Sequence, residues 1–275
     1  MLSLALTLWT VLGQTTFYFN RDPLQLGLTI GIACAVDMVL AAAVLRVWLF
    51  PLSAYITALS VGLLLESNDW RVFVVAPIWG ILSKYLLRGD HRHYFNPSNF
   101  GIVAALLLCH GRATIAPGSQ WGADYRVALA IMALGLLMMV RVRRLDLTLA
   151  WLGGFVFMGL VRMAAGQGGA VFALGPMTGA EFMLFTFSML PDPKASPITR
   201  RGRIAWGLSI AVLDGLMRLA EIRYSMFYAL FLHTALLPLM HYVATRAGLR
   251  EADPWRLVVL SARKAPAPAA QTTGA

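Results

Sequence analysis

Apolar residues in this chain come in blocks of about twenty, the length an α-helix needs to cross a bilayer, and polar or proline-marked breaks separate them. The blocks predict an all-α polytopic membrane protein with ten spans: 2–18, 24–45, 50–66, 71–88, 96–110, 125–142, 146–165, 176–190, 203–219 and 225–246. The sharpest break is Pro191-Asp192-Pro193, where two missing amide donors stop a helix. Lys194, Arg200, Arg201 and Arg203 follow before the next apolar run. So many cations do not lie in hydrocarbon, and they set this turn at a membrane surface. Brief connections make neighbouring helices antiparallel. The longer ones are 110–124 and the glycine-rich 166–175.

Charge then orients the blocks. Of the 23 lysines and arginines, sixteen fall on one side of the alternating connections and seven on the other. The richer side, with Lys194 and Arg201, is expected to be cytoplasmic, and both termini with it. The net charge of +10 is gathered in loops, where headgroups account for it, so it does not argue for nucleic-acid binding. The first block lacks a basic leader, and Phe17-Tyr18-Phe19 is a poor cleavage site, so it reads as a span. Residues 1–247 form the membrane domain, and 248–275 are a polar, Ala/Pro-rich cytoplasmic tail. Five-plus-five division gives halves 1–112 and 124–247 of opposite orientation. An echo between Pro77-Ile78-Trp79-Gly80 and Ile204-Ala205-Trp206-Gly207 fits an inverted repeat. Cys34 and Cys109 read as small apolar residues.

Three acids lie within apolar blocks: Asp37, Glu181 and Asp214. A carboxylate at mid-membrane costs at least about 2.5 kcal/mol, so each needs a partner or a wet cavity. Asp37 and Asp214 are candidates for an ion path, with a capped or neutral structural acid as the alternative. His91 and His93 read as part of a solvated basic loop, for no third metal ligand is spaced with them. His233 and His241 lie roughly 12 Å apart along one helix, and haem ligation there lacks a facing histidine. Asn96-Pro97 has the form of a helix cap and first turn, and the same asparagine suits the edge of a planar heterocycle. Asp192 suits the amides of its own turn. No P-loop, dinucleotide fingerprint, serine elbow or zinc motif is present.

Three stretches together resemble a known family. They are Tyr55 to Leu65; Lys84 with Phe95-Asn96-Pro97-Ser98-Asn99-Phe100-Gly101; and Phe185 to Gly207 with Asp192-Pro193, Ser196-Pro197, Thr199 and Gly202-Arg203. They are similar to the membrane flavoproteins typified by the RnfD protein of the Rnf complex and the NqrB protein of the sodium-pumping NADH:quinone reductase. The resemblance implies ten helices in two inverted halves, electron transfer through flavins, and location in the plasma (inner) membrane. It implies membrane redox subunits as partners, with quinone as a candidate acceptor. In that family FMN is esterified to a threonine in a Ser/Thr-x-Ala-Thr motif. Here Gly111-Arg112-Ala113-Thr114 stands in that place, with Gly111 where the leading hydroxyl would be, so Thr114 is the attachment residue implied and Arg112 the phosphate partner. Asn96 matches the asparagine beside a noncovalent riboflavin on the inner side, with Asn99 and Asp192 in the same motifs. The competing reading is a transporter or channel for a small molecule or ion on the same inverted-repeat scaffold.

Overall fold

The structure, a computed structural model, describes residues 2–15, 22–48, 50–89, 92–116 and 125–246. It is mostly helical. In order come α1 (Leu2–Thr15), α2 (Pro23–Leu40, continuing as a π-helical turn Ala41–Leu45), α3 (Leu52–Leu64), α4 (Val72–Leu86), α5 (Pro97–Leu108), α6 (Tyr125–Arg141) and α7 (Leu145–Ala164). After these come α8 (Ala170–Leu174), α9 (Ala180–Leu184), α10 (Arg200–Leu219) and α11 (Ser225–Arg246). Four two-residue strands make two clasps: β1 (Leu65–Glu66) with β4 (Thr114–Ile115), and β2 (Arg88–Gly89) with β3 (Arg92–His93).

The helices are apolar enough for a membrane protein. By length and composition, two of those described can cross a bilayer, 23–45 and 145–164, or three if the bent segments 170–178 and 181–189 form one span. That bend corrects the expected single block 176–190. A turn of 3-10 helix, Gly175–Thr178, separates α8 from α9, the two arms meet at 62°, and α9 runs on as a π-helical turn, Phe185–Met189. Pro176 and the glycines at 175 and 179 supply the break. The glycine-rich connection therefore carries the short helix α8. Helix α10 also starts earlier than expected, at Arg200, because the Thr199 hydroxyl caps the Gly202 amide. The expected tail, His91 and the side chain of His241 lie outside the described residues.

Glycine sets the tightest helix contacts. A Cβ on Gly80 of α4 would stand 2.6 Å from the Pro97 carbonyl oxygen of α5, and one on Gly101 would run into the Ala76 carbonyl of α4. Between α7 and α10, Gly207 lies against the Leu147 carbonyl and Gly154 against Ala211. Close backbone approach of this kind drives helix association where no hydrophobic effect operates. The two Trp-Gly pairs are not packed alike: Gly80 abuts α5 and Gly207 abuts α7, while Trp79 is exposed and Trp206 buried. The core is aromatic, with Trp151 among Phe155, Phe182 and Phe185, its indole N–H donating to Thr186 Oγ1 at 2.9 Å. Cys34 and Cys109 are free and half-buried.

Contacts between loops sort them onto two ends, as the charge pattern sorts them. At one end, His93 meets Asp192, Arg144 donates to the Pro197 carbonyl, and Arg203 pairs with Asp146. At the other, 65–71 joins 109–116, and Gln167 donates to the Leu219 carbonyl.

Candidate functional site

At the basic end the site is built on the start of α5. Asn96 is its cap: Oδ1 accepts from the Asn99 amide at 3.0 Å, and Pro97 opens the first turn. The Asn96 Nδ2 then donates to Asp192 Oδ2, also at 3.0 Å. Asp192 is tied from three more sides. Its Oδ1 accepts from the Lys194 amide at 3.0 Å, its Oδ2 meets His93 Nε2 at 2.9 Å, and its backbone oxygen accepts from the Ser196 hydroxyl. Burial works to raise the carboxyl's pKa, but the His93 hydrogen bond and charge, with the Lys194 and Asn96 donors, hold it below the usual carboxylate range. This corrects the solvated-loop reading of His93, whose side chain is largely buried. Asn99 is 1% exposed. Its Nδ2 donates to the Phe227 carbonyl of α11, and its Oδ1 has no partner among the described residues. Phe95, Phe100 and Phe231 pack around this corner in edge-on and tilted contacts.

Thr114 and Arg112 lie at the other end, beyond the far end of α5, whose twelve residues rise about 18 Å. Thr114 is exposed in β4, and its hydroxyl donates to the Glu66 carbonyl of β1 at 3.0 Å. Arg112 is 60% exposed and pairs with Asp69 at 2.9 Å. Asp69 is held below the ordinary range chiefly by the Arg71 amide and then by Arg112. The structure thus gathers the expected residues into two groups, Asn96, Asn99 and Asp192 in one and Thr114 with Arg112 in the other.

Next to Thr114, Ile115 and Ala116 form one wall of a cavity of about 830 Å3. Arg162, Glu181, Arg218 and Tyr224 also line it. The turn between α10 and α11, which also lines it, holds Glu221 and Tyr224 at φ 56° and 58°, a left-handed conformation that non-glycine residues adopt only where their surroundings impose it. Arg162 and Arg218 belong to the seven basic residues of the less basic side, and no sequence motif marks them. The signal for Arg218 was present, four residues after Asp214 on one helix face.

The two candidate ion-path acids each have basic partners. Lys84 donates to Asp37 Oδ1 at 2.7 Å, and the Tyr85 hydroxyl donates to the same oxygen at 2.8 Å. Arg218 Nε donates to Asp214 Oδ2 at 2.8 Å and the Ser225 hydroxyl to Oδ1 at 2.5 Å. Asp37 belongs with α2 and α4, Asp214 with α10 and α11, and nothing among the described residues links them. His233 Nε2 lies 2.6 Å from the Ser209 hydroxyl, and its Nδ1 has no partner among the described residues. Among the described residues no cluster of three or more His, Cys, Asp or Glu side chains could hold a metal ion.

No individual curated protein matches the chain. A family model does: that of the NQR2, RnfD, RnfE family matches residues 113–249, a stretch that starts one residue before Thr114 and takes in Arg162, the Asp192 turn and Arg218. The Asn96 motif precedes it. On this match, through residues 113–249, the chain belongs to the NQR2, RnfD, RnfE family.

Proposed function

We propose that this protein is a flavin-binding electron-transfer component of a multi-subunit membrane redox complex, passing electrons between partner proteins or to a quinone. The observation that carries the reading is the family match beginning at Ala113, joined to an exposed Thr114 hydroxyl. Rnf- and Nqr-type membrane proteins work within larger assemblies, and this chain shows no dinucleotide motif of its own for a soluble donor.

The residues present suit a flavin at two places. Thr114 offers an accessible hydroxyl oriented by the Glu66 carbonyl, beside a cavity within the size range of cofactor sites. Arg112 is close in sequence, and Asp69 fixes its guanidinium. At the other end the unpaired Asn99 Oδ1 is a buried acceptor in want of a donor, such as the N–H edge of a noncovalent riboflavin. Bound flavin supplies one- and two-electron chemistry, and the protein sets its potential by hydrogen bonds, charge and burial. The residues here position the site: Asn96 and Asp192 fix the start of α5, and Phe95, Phe100 and Phe231 pack beside it.

The reading includes ten spans in two inverted five-helix halves with both termini cytoplasmic, in the plasma (inner) membrane. The packing of α4 on α2 and α5, alongside that of α10 on α7 and α11, supports it. Intact-mass measurement in cells that also supply a flavin transferase tests the attachment. Wild type is expected to gain the mass of an FMN ester, and Thr114→Val to lose it. An unshifted wild type rejects covalent flavin; a shift that survives Thr114→Val rejects the residue.

A further inference from the structure

Two guanidinium groups meet in the outer cavity with most of their donors unused among the described residues. Arg162 comes from the last turn of α7 and Arg218 from the last turn of α10. Arg162 is only 4% exposed. Among the described residues its one side-chain hydrogen bond is a long one, Nε to Gln167 Oε1 at 3.4 Å, and the Phe172 ring lies 5.2 Å from its guanidinium carbon. Arg218 spends Nε on Asp214 and lies 5.1 Å from the Phe155 ring. Both residues therefore use Nε and leave the Nη ends, a planar fork of N–H donors, without an acceptor among the described residues. Glu181 and Glu221 line the same space, yet neither pairs with these arginines, and the buried Glu181 Oε2 has no hydrogen-bond partner there.

Forked donors match the oxygens of phosphate, and buried arginines are costly unless something accepts from them. Ile115, Phe172, Pro176 and Met226 give the same cavity an apolar part. We propose that Arg162 and Arg218 form a phosphate site, taking the head of an amphipathic phosphate ester whose apolar part lies against Phe172 and Ile115. A phospholipid and a flavin mononucleotide offer the same oxygens. The site stands whether or not Thr114 carries flavin.

The test is thermal denaturation of the purified full-length protein in detergent, with four probes added separately: short-chain phosphatidylglycerol, the matching diacylglycerol, FMN and riboflavin. A phosphate-bearing probe is expected to raise the midpoint saturably, and its phosphate-free counterpart to leave it unchanged. A response to phosphatidylglycerol alone assigns the site to lipid, to FMN alone assigns it to the cofactor, and to both shows that phosphate itself is recognised. Apparent affinity should fall about tenfold or more in Arg162→Gln, the scale of a lost charge-assisted hydrogen-bond pair. Arg162→Lys keeps the charge but not the fork, and is expected to weaken binding severalfold; it decides the matter if Arg162→Gln does not fold. Equal response to phosphate-bearing and phosphate-free probes, no response to either phosphate, or unchanged affinity in both variants overturns the site. Because Arg162 and Thr114 are read by different measurements, failure here leaves the flavin reading standing, and the reverse also holds.

Discussion

Asp192 shows how much one residue can hold in place. It sits between two prolines, where the chain cannot satisfy itself by helix, and its carboxylate and carbonyl collect the Lys194 and Ser196 amides, Asn96 and His93. Two substitutions separate shape from apolar loss. Asp192→Asn keeps an acceptor for the Lys194 amide and should cost about 1–2 kcal/mol, whereas Asp192→Leu leaves three donors unmet and should cost more than twice as much in thermal melts. Equal losses would show that the charge itself matters. The pH dependence has a definite sign. A carboxyl whose folded pKa is depressed contributes stability that is full above its unfolded value, about 3.9, and fades as pH falls through the lower folded value. The link from His93 and Asn96 to the 191–199 turn is therefore expected to hold through mild acid and to open below about pH 4, read as faster amide exchange at Lys194, Ala195 and Ser196. The turn and its capping role were legible from Pro191-Asp192-Pro193. The His93 partnership was not, because 99 residues separate the two and no local pattern pairs them.

At the scale of elements, α5 acts as the spacer between the two candidate sites. Its position depends on glycine, for Gly80 and Gly101 let α4 and α5 touch backbone to backbone. Gly101→Ala should therefore lower stability by about 1–3 kcal/mol, since the Ala76 carbonyl of a neighbouring helix cannot move aside cheaply. Gly153→Ala in α7 is the matched control. Nothing lies within 4 Å of the added methyl, and it should be neutral or slightly stabilising by helix propensity. A Gly101→Ala melting point equal to wild type would rule out the close crossing. The break between α8 and α9 belongs to the same scale. Pro176 and Gly179 are plain in the sequence as helix breakers, but the direction of the bend depends on what each arm packs against, and hydropathy does not record that.

At the scale of the molecule, loop contacts and loop charges agree on which connections share an end. The basic end, with the Asp192 turn, is expected to face the cytoplasm. Cysteines placed singly between Lys194 and Arg201 should resist impermeant thiol reagents in intact cells and react in inverted vesicles. Labelling from outside would reverse the topology and carry the two candidate sites to opposite faces. With the basic end inside, the cavity at the less basic end opens outward, next to Thr114, while Asn96 and Asn99 approach the cytoplasmic side.

Composition and periodicity alone determined that the chain is helical and built for a membrane, because crossing a bilayer is a local requirement on each block of residues. Local chemistry also determined the cap at Asn96 and the stop at Pro191. The short motifs pointed to the family that residues 113–249 then matched. Tertiary structure alone decided which side chains meet. It put His93 on Asp192 and paired Asp37 of α2 with Lys84 of α4. It also brought Arg162 of α7 and Arg218 of α10 into one cavity, although the broken α8–α9 segment and the Asp192 turn lie between them in the chain. Such pairings depend on how helices cross, and helix crossings are set by the shapes of packed surfaces, which no single stretch of the sequence contains.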